Sequence, residues 1–259
     1  MRLEPVANPG WGRTLGFPLA ALGVTVLIGS VLAMVAGADP FATLGLILRG
    51  AAGSRFALLE TLNRATPLIF TGLAVAVAFR ARLWNIGAEA QLYAGAIMTV
   101  LLGTGALAWP SAALWPAMAG AAMLAGALTL LGPAALKVRF GVDEVVTTLL
   151  FNFVMLLFVS YLIEGPLKDP RAMGWPQSPR LIPDARLPRI VDGLRLHWGF
   201  ALALIAAVAV WIVQTRTTLG YAMRAVGQNR QAAEFAGIPV GRVILWTALI
   251  SGGLAALAG

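Results

Sequence analysis

The residues best equipped for chemistry lie where one apolar run ends and the next begins: Arg80-Ala81-Arg82-Leu83-Trp84-Asn85-Ile86-Gly87-Ala88-Glu89-Ala90-Gln91. Two arginines close the first run. Asn85, Glu89 and Gln91 open the second. A carboxylate inside hydrocarbon costs about 2.5–3.5 kcal/mol, so such a group faces protein or a water-filled path. The chemistry on offer is polar recognition and gating, or proton transfer through Glu89. Asn85 and Glu89 are four apart, which on a helix places them on one face. Gly87 lies between them and lets the helix open or a neighbour approach. Two readings of Glu89 stand. It is an interfacial carboxylate that reaches water or pairs with Arg80 or Arg82, or it belongs to a gate and its packing.

A second polar set, Glu144, Thr148 and Asn152, repeats every four residues. Four residues advance a helix by about 400°, so the three form one stripe facing other protein. Asp143 fits a helix start, where a short acidic side chain satisfies free N–H groups and the dipole. Glu144 either does the same or belongs to the stripe. The amide of Asn152 needs partners, and both a neighbouring helix and a water-lined pathway would supply them.

The third set is the segment from Thr217 to Pro239, with Arg224, Gly227, Ala232, Ala233, Glu234 and Gly237 along it. Apolar and polar residues alternate there at helical spacing, with breaks at Gly227 and at Gly237-Ile238-Pro239. The pattern predicts two short amphipathic helices organised to dock on something, or a surface helix lying on lipid headgroups.

Elements that would position these residues follow from composition. The chain has 259 residues, 59% apolar and 12% charged. Soluble domains carry about 25% charged residues, so the expectation is an all-α polytopic membrane protein of about seven spans. The expected spans are roughly Leu15–Ala36, Thr66–Phe79, Leu83–Ala108, Ala112–Leu136, Val142–Ile163, Gly199–Val213 and a last run from Val243 still apolar at Gly259. Ala122 and Gly126, four apart in the fourth run, allow close helix packing. Pro67 is placed near a helix start, where its missing N–H is harmless. The whole, 1–259, reads as a single transmembrane domain. Residues 38–64 form an outer connection with an interfacial helix. Residues 164–198, with six prolines and many charges, form an outer loop. Residues 214–242 form a cytoplasmic loop. The first run is longer than the ~7–15 residues of a signal core and reads as a retained helix.

Orientation follows from charge. With the N-terminus inside, Arg2, Arg13, Arg80, Arg82, Lys137, Arg139, Arg216, Arg224, Arg230 and Arg242 are all cytoplasmic, as the positive-inside rule requires. The net charge of +8 therefore reports topology. No basic and aromatic stripe for nucleic acid is present. No cysteine, no phosphate-binding loop, no metal-ligand cluster and no Ser-His-acid set is present, so neither a cofactor nor catalysis is expected. Gly103, Gly105 and Ala108 mimic a dinucleotide motif without the strand it needs. His197, beside Trp198, reads as an interfacial anchor.

These blocks resemble those of a known family. Ala232-Ala233 followed by Gly237 resembles the coupling-loop signature of ABC-importer permeases, with Gln231 where that signature has Glu. Leu219 to Pro239 is similar to the branch serving simple sugars, branched-chain amino acids and nucleosides. Asn85-Ile86-Gly87-Ala88-Glu89-Ala90-Gln91 resembles the NIGxEGQ stretch of nucleoside-type permeases, partners of basic-membrane-protein lipoproteins, with Ala90 replacing Gly. Gly141 to Asn152 resembles the next block. The resemblance covers the chain from about Thr61 onward. Members continue with further helices beyond the Ser251-Gly252-Gly253 region, whereas this sequence stops inside an apolar run: either the chain is shortened or the remainder is absent.

The resemblance implies an inner-membrane permease subunit that imports nucleosides or a similar small polar solute and does no covalent chemistry. Its implied partners are an ABC ATPase subunit, a second related permease, an extracytoplasmic substrate-binding lipoprotein and membrane lipids. Asn85, Glu89, Gln91, Thr148 and Asn152 become candidate substrate-pathway residues. Arg224, Gly227, Ala232, Ala233, Glu234 and Gly237 become candidate ATPase-coupling residues. Two other classes compete. In an ion-gradient-driven transporter Glu89 would carry protons. An intramembrane enzyme would use Glu89 and Asn152, but has no recognisable nucleophile.

Overall fold

The computed structural model describes residues 10–105 and 109–259. Arg2 and Ala108, as well as the side chain of Arg13, lie outside the described residues. Among the described residues, apart from a 3-10 turn at Pro183–Ala185 and one antiparallel bridge between Arg189 and His197, every regular element is an α-helix. The protein is a polytopic helical membrane protein. Five helices among the described residues are long and apolar enough to cross a bilayer: α1 (Trp11–Val35), α3 (Arg55–Arg80), α5 (Ser111–Phe140), α6 (Glu144–Glu164) and α7 (Gly199–Arg216). Two shorter apolar helices, α4 (Ala88–Gly103) and α10 (Val240–Ala256), account for the other expected runs.

The chain divides into two compact units, Met1–Thr61 and Leu62–Gly259. In the first, α1 leads through a left-handed Gly37 (φ 77°) into α2 (Pro40–Ala52). Asp39 caps α2, its Oδ1 accepting the Phe41 N–H at 2.9 Å, and Pro40 occupies the first helical position. No residue of the uncharged window Leu15–Val35 of α1 is fully buried. So much exposed Leu, Val and Ile is stable only against lipid or another protein surface.

Helix α3 starts at Arg55, eleven residues ahead of the expected Thr66. Pro67 therefore falls inside a helix and not near its start. A proline there frees a backbone carbonyl and disturbs the ladder. The carbonyl of Pro67 itself accepts the Thr71 hydroxyl at 3.0 Å.

The second unit is organised around α10. From Ser251 to Ala256 every residue of α10 is buried. Trp246, nearer the start of α10, is exposed, whereas that stretch has no lipid face and its neighbours approach it from all sides. Glycines make that possible. A methyl on Gly126 of α5 would lie 2.4 Å from the Gly252 carbonyl oxygen, one on Gly252 would lie 2.3 Å from the Gly126 carbonyl oxygen, and one on Gly95 of α4 would lie 2.1 Å from the Ala256 carbonyl oxygen. Helices α4, α5 and α10 thus meet backbone to backbone.

One end of this unit collects α8 (Thr218–Gln228) and α9 (Arg230–Phe235) with the basic ends of α3, α5 and α7. The opposite end is covered by the proline-rich segment. There Ile182 N–H donates to the Gly103 carbonyl at 2.9 Å, the Ser111 hydroxyl donates to Asp184 at 3.0 Å, and Leu114, Met118 and Ala185 form a small apolar core.

Replacing Gly252 with Val forces α10 away from α5, since the added carbons meet backbone that cannot rotate aside. Overpacking at such a site costs about 3 kcal/mol or more. Thermal unfolding in detergent should show a clear loss of stability for Gly252→Val, and little for valine at Gly45, where an added methyl meets nothing within 4 Å.

Candidate functional site

The polar residues at 80–91 come together through a break in the helical ladder. Helix α3 ends in a Schellman turn: Leu83 N–H donates to the Ala78 carbonyl at 3.1 Å and Arg82 N–H to the Phe79 carbonyl at 3.0 Å. The residue at the left-handed position is Arg82, with φ 50°, where glycine is usual. Residues 83–87 have no regular secondary structure, Asn85 N–H turning back to the Leu83 carbonyl at 2.9 Å, and α4 begins only at Ala88. The expectation that Asn85 and Glu89 share a helix face is therefore overturned. Asn85 precedes the helix, because the chain has turned out of it at Arg82.

Asn85 is 2% exposed and Gln91 1% exposed. Their amides are fully paired. Asn85 Oδ1 accepts from Gly87 N–H at 3.0 Å and from Gln91 Nε2 at 2.8 Å. Asn85 Nδ2 donates to Gln91 Oε1 at 2.9 Å and to Ser251 Oγ at 3.1 Å. Ser251 in turn donates to the Ala74 carbonyl on α3 at 2.8 Å. One amide pair thus joins α3, the 83–87 segment, α4 and α10.

The stripe on α6 supplies the other side. Glu144 Oε1 accepts from Trp84 N–H at 3.2 Å, and Thr148 Oγ1 from Ile86 N–H at 3.3 Å. Asn152 accepts the Ala90 N–H at 2.9 Å and donates to the Ile86 carbonyl at 2.9 Å. Three side chains one helical turn apart meet the backbone of 84–90 much as a neighbouring strand would. Gly87 admits the approach: a methyl there would lie 3.0 Å from both Cβ and the carbonyl oxygen of Thr148. Glu144 also pairs with Lys137 at the end of α5, and Lys137 Nζ donates to the carbonyl of Arg82 at 3.4 Å. Asp143 caps α6, its Oδ1 accepting the Val145 N–H at 2.8 Å.

Of the five candidate pathway residues, four (Asn85, Gln91, Thr148 and Asn152) spend their polar atoms on this bracket. Glu89 does not. It is exposed in the first turn of α4, and forms no hydrogen bond or ion pair among the described residues. Tyr93, Ala96 and Val100 continue its face at helical spacing, each only half-buried. That face ends beside a pocket of about 560 Å³ lined by Thr99, Ser178, Arg180 and Arg186.

The six candidate coupling residues divide. Arg224 turns inward and donates to the Gln214 carbonyl. Gly227 packs on the end of α3, where a methyl would lie 2.1 Å from the Arg80 carbonyl oxygen. Ala233 is buried. Gly237 (φ 79°) ends α9 in a second Schellman turn, with Ile238 N–H on the Ala233 carbonyl at 3.0 Å. Ala232, Glu234 and Gly237 are exposed, Glu234 paired with Arg230 at 3.2 Å. The break between the two helices falls at Asn229, not at Gly227: Asn229 Oδ1 caps α9 by accepting the Ala232 N–H at 3.1 Å. Sequence reasoning passed over Phe235, 97% exposed, and Tyr221, exposed beside a pocket of about 220 Å³ between α8 and α9. An aromatic two residues after the Ala-Ala pair was the available signal.

In the proline-rich segment, His197 Nδ1 accepts the Gly199 N–H at 3.1 Å at the start of α7. Burial lowers its pKa below the usual 6.5, and accepting an N–H requires the neutral ring.

Replacing Asn152 with Leu strands the Ala90 N–H and the Ile86 carbonyl, at a cost of about 2 kcal/mol. Amide exchange at Ala90 should speed up well before that of the α5 core. The histidine gives a pH test. Its folded pKa lies below the unfolded value, so its contribution is complete above about 6.5 and is lost as pH falls through the lower folded pKa. Protection of the Gly199 amide, taken relative to the unfolded exchange rate at the same pH, should therefore fall on acidification below pH about 6.5, and His197→Gln should abolish that fall.

A family model described as the permease component of branched-chain amino acid transport systems matches residues 57–259. A guanosine ABC transporter permease protein of Bacillus subtilis is 36% identical over 93% of this chain and 70% of its own length. A glucose ABC transporter permease protein of Haloferax volcanii is 36% identical over 100% of this chain and 70% of its own. A nucleoside ABC transporter permease protein of Lactococcus lactis is 30% identical over 95% of this chain and 70% of its own. No solved structure matches the chain. With most of its length inside the family model, and a membrane-spanning helical body that suits it, the chain belongs to this family of ABC transporter permeases.

Proposed function

We propose that this chain forms one wall of the path by which nucleosides, or polar solutes of like size, enter the cell, driven by ATPase subunits that grip α8 and α9. The observation that carries the reading is the α8–α9 pair. Its apolar faces (Met223, Val226, Ala233) are sunk in the core, while Phe235, Tyr221, Ala232 and Glu234 point outward at the basic end. An aromatic exposed on a rigidly held helix is the usual anchor of a protein interface. Residues 214–242 are thus the coupling loop. Arg224, Gly227, Ala233 and Gly237 shape it, and Ala232, Glu234 and Phe235 make the contact.

Orientation follows. Arg80, Arg82, Lys137, Arg139, Arg216, Arg224, Arg230 and Arg242 gather at the end that carries α8 and α9, which supports a cytoplasmic place for that end; an N-terminus inside is the reading that the charge pattern of the sequence favours. Residues 164–198 then form the outer loop, where a solute-binding lipoprotein would dock, and 38–64 the outer connection, within one permease domain of the inner membrane spanning 1–259. The face running from Glu89 through Tyr93 and Ala96 to Val100 lines the path. Because it is open, a second related permease supplies the opposite wall. The relatives named for guanosine and for nucleosides favour that cargo over glucose.

In vesicles holding the assembled complex, labelled guanosine uptake should require ATP. Phe235→Ala should reduce ATPase binding by about tenfold without loss of folding. Uptake driven by a proton gradient with no ATP, or unchanged ATPase binding by the variant, would sink the reading.

A further inference from the structure

Two kinds of contact hold this fold together, and they are segregated. Leu83, Ala74, Val77, Ala78 and Ala81 on the α3 side share one apolar core with Met223, Val226 and Ala233 of α8 and α9 and with Val240, Val243, Ile244 and Ala248 of α10. Close-packed cores pass displacement on instead of absorbing it. At Gly227 the contact with Arg80 is backbone on backbone, with no flexible side chain to take up slack. Any push on α8 and α9 therefore arrives at Leu83.

Two residues later the glue changes. The only buried residues of α6 are Glu144 and Thr148. Helix α6 holds the 84–90 segment through the hydrogen bonds of Glu144, Thr148 and Asn152. No α6 residue belongs to the apolar core. The block locked by apolar packing and the block held by polar bonds meet at the Asn85 amide, which donates to Ser251 Oγ while Ser251 donates to Ala74. A neutral hydrogen bond contributes only about 1 kcal/mol net and exchanges partners readily, so a joint between two moving blocks is cheapest there.

We propose that Asn85 and Ser251 are positioning residues of the transport cycle: their contact is the joint at which motion of α8 and α9 is transmitted to the 84–90 segment, and so to Glu89. This rests on the reading that an ATPase grips α8 and α9. Gln91 keeps Asn85 Oδ1 and one Asn85 N–H bonded when the Ser251 contact opens, so opening frees a single N–H. Ser251 opens the fully buried stretch of α10, and its hydroxyl touches both blocks.

The test is Ser251→Ala in the complete complex with its ATPase and binding protein, reconstituted in vesicles. Co-purification of the ATPase should equal wild type and ATP hydrolysis should stay within about twofold, while solute moved per ATP hydrolysed falls about fivefold, the scale of one lost hydrogen bond. A merely structural serine would lower hydrolysis and transport together or neither, and an unchanged ratio overturns the joint. A wild-type chain that retains no ATPase overturns the coupling reading beneath it, which separates the two failures. Should Ser251→Ala not fold, amide exchange on the wild-type complex decides. Nucleotide trapping should change exchange at Trp84, Ile86 and Ala90 by about tenfold and leave Met223 to Val226 unaltered. A change spread evenly over both, or none, overturns the proposal.

Discussion

Backbone groups that leave a helix inside a membrane protein must find partners within the protein, because lipid supplies none. That constraint organises the second unit. The turn at Arg82 frees the backbone of residues 83–87, and everything around it answers to those groups. The α6 stripe bonds Trp84, Ile86 and Ala90, and Lys137 reaches the Arg82 carbonyl while neutralising Glu144. The Asn85–Gln91 pair closes on itself and on Ser251. Remove the break and these polar side chains lose their purpose. Remove them and the break cannot be sustained.

The break also fixes where α4 can begin, and so which of its residues face the core. Starting at Ala88, α4 turns Ala90, Gln91, Ala94 and Gly95 inward and leaves Glu89 outside. Gly95 then meets Ala256, and the glycine contacts carry α10 on to α5. Polar pairing at one end and glycine packing further along are thus two consequences of one register. A slip of one residue at Gly87 would turn Glu89 toward buried apolar neighbours, a position that a carboxylate resists.

Much of this was legible in the sequence, for reasons that can be named. Apolar runs gave the helices, since a bilayer demands length and lack of charge. Asp143 was legible as a cap because capping is local. The stripe Glu144, Thr148 and Asn152 was legible as a polar face. Its target was not, since those side chains bond main chain some sixty residues earlier, and backbone atoms carry no sequence signature. The start of α4 was misplaced because the turn residue is Arg82, not the glycine that usually announces a Schellman turn. Pro67 looked terminal because Arg64 marked an apparent boundary, whereas α3 carries its charged first turns onward without a break. Phe235 escaped notice because α9 has six residues, too few for periodicity to tell an inward aromatic from an outward one.

What distinguishes α10 from its neighbours is how it meets the demand for polar pairing without giving up its packing. A helix buried on every side can carry a polar side chain only if that side chain bonds at once. Thr247 does so within the helix, donating to the Val243 carbonyl at 2.7 Å. Ser251 is just as buried, yet bonds outward to α3 and to Asn85. Two hydroxyls one turn apart therefore have different effects: Thr247 satisfies itself without reaching a neighbour, and Ser251 ties α10 to α3 and to the 84–90 segment. The apolar core and the glycine contacts at Gly95, Gly126 and Gly252 fix the distance of α10 from its neighbours, and the Ser251 bonds fix its register against them.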